Sequence, residues 1–168
     1  MPVKNHTSNS ANTFNAIQKC LAEHKAQQIM FEYNDNGRIV GVNFSLKLNH
    51  MMINEQVDAQ PRVLGFKLPA RVENVEVLFR EQKQAKARYK YVKAELTDAE
   101  KEQAYRTAWA NIRDWVTAQM AMIDIGMVKM EEVFLPYAVN KEGKTFFETM
   151  EKSKFALPSG AEEGIVVE

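Results

Sequence analysis

The stretch with the clearest capacity for chemistry is a basic run, REQKQAKARYKYVK, at positions 80–93. It contains six basic residues and one acidic residue. On a helix, residues three and four positions apart lie on one face, so the spacing predicts a stripe of ammonium groups about 15 Å long. The stripe consists of Lys83, Lys86, Lys90 and Lys93, with Arg80 and Arg88 beside it and Tyr89 and Tyr91 interleaved.

Such a stripe is suited to a polyanion. Like charges on adjacent turns repel by a few tenths of a kcal/mol per pair, and phosphates remove that repulsion while releasing counterions. Tyrosine rings stack on unpaired bases, at about 1–3 kcal/mol per base. The run therefore predicts a nucleic-acid-binding surface, with single-stranded DNA as the candidate ligand. The alternative is a solvated helix face whose charge is balanced by Asp98, Glu100 and Glu102 downstream.

No catalytic, metal or cofactor motif accompanies the basic run. His6, His24 and His50 are isolated, and no cysteine or carboxylate pattern has metal-ligand spacing. The sequence has no phosphate-binding glycine loop, no dinucleotide fingerprint and no Gly-x-Ser-x-Gly elbow. We therefore predict no catalytic residue, no metal ligand and no cofactor, and a protein that is not an enzyme. A hydrolase or nuclease would need a site assembled from residues distant in sequence.

The composition indicates a cytoplasmic globular protein. The 168 residues include 22 basic and 22 acidic side chains, so a nucleic-acid surface must be local. The single cysteine, Cys20, cannot form an internal disulfide, which is typical of a reducing compartment. No apolar run approaches the roughly 18 residues that cross a bilayer, and we expect no membrane partner. We expect a mobile N-terminus at 1–12, one domain at 13–153 and a loose tail at 154–168.

The element that must position the basic run is a long helix at residues 97–126. Thr97 and Glu100 form a capping box, and Gly126 is the residue type that ends helices. Apolar residues recur at spacings of three and four, which gives the helix one buried face. They are Tyr105, Trp109, Ile112, Val116, Met120 and Ile123. The helix carrying the basic run and this core helix are predicted to form a helical hairpin.

Upstream of the hairpin the pattern predicts a short helix at 13–25 and three strands. Apolar and polar residues alternate at 40–48, as in an antiparallel sheet covered on one face, and the turn before it contains Asn36-Gly37. Two short helices follow the core helix, the second opened by a capping box at Thr145 and Glu148. The predicted fold is α+β: a three-stranded antiparallel sheet with helices packed on one face, including a long helical hairpin.

The connection at 49–61 offers a second functional hypothesis. Met51, Met52 and Ile53 are apolar for a loop. Either they extend the second strand or tuck under the sheet, or they form an exposed patch for a partner, since flexible methionines suit adaptable surfaces. The second reading predicts a protein–protein module that binds and modulates another protein through this patch or through the helical hairpin. The free edges of the sheet can pair with a second copy of the chain, so we also expect a homo-oligomer.

Three phrases carry a resemblance that covers residues 17–137. They are IMFEYNDNGRIVGVNFSL, FKLPARVENVEVLF and AYRTAWANIRDWVTAQMAMIDIGMVKMEEVFLPY. They resemble a family of small, uncharacterised proteins found in bacteriophages and integrated elements, which implies a phage or mobile-element setting without an activity. In that setting, the resemblance implies that the partner of the protein–protein module is a host or phage protein, as for an inhibitor of a defence enzyme. The order of three strands and a long helix is also similar to the core of phage single-strand annealing proteins, in which a basic groove holds single-stranded DNA. That analogy lies at the level of the fold and implies a role in DNA recombination.

Overall fold

The order of helices and strands is given by a computed structural model, which describes residues 10–48, 52–53, 56–57, 62–89, 91 and 93–155. Within these ranges the elements are α1 (Ser10–Glu23), β1 (Gln28–Tyr33), β2 (Ile39–Leu48), β3 (Met52–Ile53), β4 (Gln56–Val57), β5 (Arg62–Pro69), α2 (Val72–Lys86), α3 (Asp98–Asp124), α4 (Met130–Phe134), a 3₁₀ turn (Leu135–Tyr137) and α5 (Phe146–Lys152). The predicted α+β class is confirmed.

The main sheet is antiparallel, with β2 between β1 and β5. Phe44 lies opposite Ile29 of β1 and Phe66 of β5, and these side chains share the face that packs into the core. The β1–β2 turn is closed by Gly37, which has a φ of 71°, a value that glycine adopts without steric cost. Asn34 Oδ1 also accepts hydrogen bonds from the backbone of this turn. The predicted three-stranded sheet with one covered face is confirmed.

The covered face packs against α1 and α3. Trp109 of α3 is fully buried, and its ring centroid lies 4.9 Å from that of Phe14 on α1. Trp109 Nε1 donates a hydrogen bond to the Ile39 carbonyl (3.3 Å), and the Tyr105 hydroxyl donates to the same oxygen (3.1 Å). The long helix α3 is therefore the core helix that the sequence predicts. Its apolar face fills the core, and the polar ring atoms of Trp109 and Tyr105 on that face bond to β2.

The predicted starts of α3 and α5 and the predicted end of α3 are confirmed. Glu100 N–H donates to Thr97 Oγ1 (3.3 Å), and Thr97 N–H donates to the Glu100 carboxylate (2.7 Å). Thr145 and Glu148 make the same exchange at α5. The pKa of the Glu148 carboxyl is lowered, and the hydrogen bond from Thr145 N–H is the main cause. Gly126 follows α3 with a φ of 73°, as expected for the residue that ends a helix.

Several local predictions were wrong or fall outside the described residues. The first helix begins at Ser10 rather than at residue 13, and Thr13 is buried inside it. The first of the two short helices after α3 begins only at Met130, and Met127 before it is 67% exposed. The 49–61 connection contains the short β3–β4 pair, while Met51 lies outside the described residues, as do positions 1–9 and 156–168. None of the described helices has the length and apolarity needed to cross a membrane.

Candidate nucleic-acid interface

The second helix ends at Lys86, seven residues before the predicted end at Lys93. Ala87 has an extended backbone, with φ −68° and ψ 137°, and the chain leaves the helical path there. Lys83 and Lys86 therefore share a helix, whereas Lys93 lies in the returning segment and Lys90 lies outside the described residues. The predicted stripe of four lysines on one helix was wrong.

The helix ends because the returning chain bonds to its last turn. Ala94 N–H donates to Gln84 Oε1 (2.6 Å), and Lys83 Nζ donates to the Glu95 carbonyl (2.8 Å). After Phe79 the sequence has no large apolar side chain until Tyr89, so a longer helix would have no apolar face to bury against α3. Tertiary hydrogen bonds replace helical ones at this point.

The turn nevertheless collects most of the predicted binding residues around one open cavity of about 500 Å³, here called the basic groove. The groove is lined by Lys83, Lys86, Ala87, Arg88, Tyr89, Lys93 and Ala94. Four of these seven residues are basic and none is acidic. Arg80 does not line the groove; it lies on the helical part of the run.

The cations of the basic groove differ in whether they form an ion pair within the described residues. Lys83 Nζ lies 2.7 Å from Glu100 Oε2, and this hydrogen bond, more than that from Thr97 N–H, lowers the pKa of the Glu100 carboxyl. Lys86, Arg88 and Lys93 are exposed and form no ion pair with any described residue. Within the described part of the chain, three cations of the groove therefore have no ion-pair partner, while Lys83 is neutralised by Glu100.

Two tyrosines lie beside these cations. The ring centroids of Tyr89 and Tyr91 are 5.7 Å apart with a 54° angle between their planes. Tyr89 is 55% exposed and Tyr91 is 83% exposed, values far from those of core aromatics. The Arg88 guanidinium lies 5.8 Å from the Tyr89 ring centroid, within cation–π range. Single-stranded nucleic acid binds cations through its phosphates and stacks its bases on aromatic rings, and this segment presents exposed rings beside cations that have no ion-pair partner within the described residues.

A second cavity, of about 490 Å³, lies where β1, β2 and β5 meet the start of α2, and the sequence did not predict it. Its charged lining mixes both signs: Arg38, Lys67, Arg71, Lys101, Glu32, Glu73 and Glu76. Lys67 is paired with Glu32 (2.9 Å), and Arg38 is paired with Glu102 (2.6 Å). Because its charges largely compensate one another, this cavity lacks the single-sign field that attracts a polyanion.

The described residues contain no group of three or more His, Cys, Asp and Glu side chains arranged to hold a metal ion. Cys20 is partly buried, and this burial raises the pKa of its thiol, which disfavours the reactive thiolate. No protein-family model matches the chain, and no curated protein or solved structure matches it either. The candidate site therefore rests on the geometry of this chain alone.

Proposed function

We propose that this protein is a non-enzymatic accessory protein that binds nucleic acid through the basic groove, with single-stranded DNA as its preferred ligand. One observation carries the proposal: Lys86 at the end of α2 and Arg88 and Lys93 in the segment after it are exposed and form no ion pair within the described residues, and the exposed Tyr89 and Tyr91 lie in the same segment. The basis differs from the helical stripe predicted above, because a turn now presents the cations. The fold-level analogy to phage single-strand annealing proteins is the basis for proposing a role in DNA recombination.

The affinity is expected to come mainly from phosphate contacts. Each phosphate contact releases condensed counterions, so log K falls with log[salt] by about 0.7 per contact on a single strand. Three available cations predict a slope on the order of −2. A contribution of this size makes binding detectable at low salt and weak near physiological salt.

The tyrosines favour single strands over duplex. In a duplex the faces of the bases are covered by their neighbours, whereas an unpaired base can stack on an exposed ring. Tyr91 is exposed over most of its surface and has Tyr89 beside it, so one base can contact either ring or both. Stacking is tolerant of sequence, and we therefore expect little preference among base types.

The test is fluorescence anisotropy with a labelled oligothymidylate at about 50 mM salt, followed by a salt titration. The double variant Lys86→Glu/Lys93→Glu is expected to abolish binding. Lys141→Glu is the matched control, because Lys141 is also exposed and unpaired within the described residues but lies in the turn before α5. Tyr91→Ala is expected to lower affinity for the single strand about tenfold and to leave duplex affinity unchanged. Absence of binding by the unmodified protein, or equal binding by the double variant, refutes the proposal.

A further inference from the structure

A cavity of about 370 Å³, here called the α5 cavity, lies where the end of β5 meets the 3₁₀ turn and the starts of α2 and α5. It shares no residue with the basic groove. Sites for small molecules have volumes of about 300–1,000 Å³ and combine apolar walls with a few polar groups, and this cavity has both properties. Apart from two prolines, its lining consists of Lys67, Arg71, Tyr137, Thr145, Phe147 and Glu148.

Two aromatic rings form an apolar wall of the α5 cavity, and each of them contacts a further ring. The centroid of the Tyr137 ring lies 5.5 Å from that of Trp115, and the centroid of the Phe147 ring lies 5.8 Å from that of Phe155. These contacts restrain the wall, while Phe147 is still 38% exposed. Aromatic rings pair favourably with one another beyond the area that they bury, so the wall is suited to a planar aromatic group.

Two opposite charges line the same cavity without forming an ion pair with each other. Arg71 and Glu148 are both exposed, and neither forms an ion pair with any described residue. The second cation, Lys67, is paired with Glu32 (2.9 Å). Lys67 and Arg71 lie close enough to add to the lowering of the Glu148 pKa, of which the Thr145 N–H is the main cause. Within the described residues, the cavity therefore presents one guanidinium and one carboxylate that have no ion-pair partner.

The backbone of Arg71 has a conformation that disfavours arginine. Its φ of 43° and ψ of 48° lie in the left-handed region, where a side chain with a Cβ is strained and glycine is not. The side chain of Arg71 forms no hydrogen bond with a described residue that would offset this strain. Residues held in such conformations cluster at sites that bind ligands, and a ligand for the guanidinium would account for an arginine at this position.

We propose that the α5 cavity binds a free aromatic α-amino acid. The carboxylate of the amino acid pairs with the Arg71 guanidinium, whose fork of N–H donors fits a carboxylate. Its ammonium group pairs with the Glu148 carboxylate, and its ring packs against Tyr137 and Phe147. A zwitterion matches both charges of the cavity, whereas a simple anion or cation would leave one of them unpaired.

Charge distinguishes this ligand from a nucleic-acid strand. The lining of the basic groove has no acidic residue, whereas Glu148 lines the α5 cavity and would repel a phosphate. A mononucleotide also has no ammonium group for this carboxylate. The proposal is independent of the basic groove, and either can fail without the other.

The first test is an NMR titration of the full ¹⁵N-labelled chain with L-phenylalanine, at concentrations on the order of 10 mM. We expect saturable shifts of the Phe147 and Glu148 amides, because both residues line the cavity. Three analogues each lack one group: N-acetyl-phenylalanine lacks the ammonium, phenylalaninamide the carboxylate and alanine the ring. Each analogue is expected to bind about tenfold more weakly or worse. Unshifted amides with phenylalanine, equal affinity for the analogues, or the same shifts with thymidine 5′-monophosphate would overturn the proposal.

The second test removes each charge while keeping the fold. Arg71→Gly is expected to lower the affinity for phenylalanine about tenfold and to leave the urea midpoint unchanged or higher, because glycine adopts this φ without strain. Glu148→Gln keeps a residue that can close the capping box with Thr145, and it should weaken phenylalanine but not N-acetyl-phenylalanine. Glu151→Gln is the matched control, because Glu151 is also exposed on α5 but does not line the cavity.

These variants separate a ligand site from a structural role. A lower urea midpoint in Arg71→Gly would show that the arginine serves the fold, and it would overturn the assignment. Unchanged phenylalanine affinity in Arg71→Gly or Glu148→Gln would do the same, as would an equal loss of affinity in the control Glu151→Gln.

Discussion

Lys83 Nζ lies 2.7 Å from Glu100 Oε2, and Glu100 is the same residue that closes the capping box of α3. Lys83 also donates to the Glu95 carbonyl, so one ammonium group joins the last turn of α2, the returning segment and the first turn of α3. A residue that sequence spacing assigns to a ligand surface thus has an internal role. Lys86, three residues further along the same helix, has no such partner among the described residues.

This difference predicts different phenotypes for Lys83→Gln and Lys86→Gln. Lys86→Gln is expected to reduce the magnitude of the salt slope by about 0.7, because one phosphate contact is lost, without affecting stability. Lys83→Gln is expected to change the slope less and to lower the free energy of unfolding only slightly, since the pair is partly exposed. Anisotropy across a salt series and urea unfolding measure the two quantities. Equal changes in slope would mean that Lys83 leaves Glu100 to contact the ligand.

The N-cap of α3 provides a prediction on stability alone. Thr97→Ala removes the hydroxyl that accepts from Glu100 N–H, and the free energy of unfolding is expected to fall by about 1 kcal/mol. Thr97→Ser keeps a hydroxyl in place and should be close to neutral, which makes it the matched control. Urea unfolding midpoints distinguish them. If both variants lose the same stability, the methyl group rather than the cap is responsible.

The sequence predicts those parts of the fold that depend on short-range signals. The start of α3 follows from Thr97 and Glu100 three residues apart, and its buried face follows from a 3.6-residue period around Trp109. The alternation in β2 likewise gives the covered face of the sheet. Each signal lies within a few residues and has one physical reading.

The end of α2 was not predictable in this way. Where α2 ends depends on Ala94 bonding to Gln84, a contact between residues ten positions apart. Charge spacing along the basic run is compatible with a helix or a turn, so the residue types of the candidate site could be identified while its geometry could not.

His24 links the ends of α1 and α3 and predicts a pH dependence. Its Nδ1 lies 2.6 Å from the Cys20 carbonyl oxygen and its Nε2 lies 3.0 Å from Asp124 Oδ2, and only the protonated ring donates to both. Burial of the ring opposes protonation, but the bonds to Cys20 and Asp124 outweigh it and raise the pKa of His24.

The sign of this dependence follows from the raised pKa. The stabilisation is fully present below the unfolded pKa of about 6.5 and is lost as the pH rises through the higher folded pKa. We therefore expect the urea midpoint to fall as the pH rises above about 6.5, and His24→Gln to remove that fall. Asp124→Asn should lower the ring pKa measured by NMR titration. A pH profile that is the same with and without His24 would assign the dependence to other groups.

The carbonyl of Ile39 provides the strictest test of the core, because Trp109 and Tyr105 both donate to it. Trp109→Phe or Tyr105→Phe leaves this oxygen with one of its two side-chain donors, whereas the double variant removes both. Because either side-chain donor can partly compensate for loss of the other, the double variant should lose about 1 kcal/mol more than the sum of the singles. Trp109→Ala is the reference for lost packing, at about 3–5 kcal/mol. Denaturant unfolding of the four proteins in the cycle gives the coupling. Strict additivity would mean that the two donors act independently of each other.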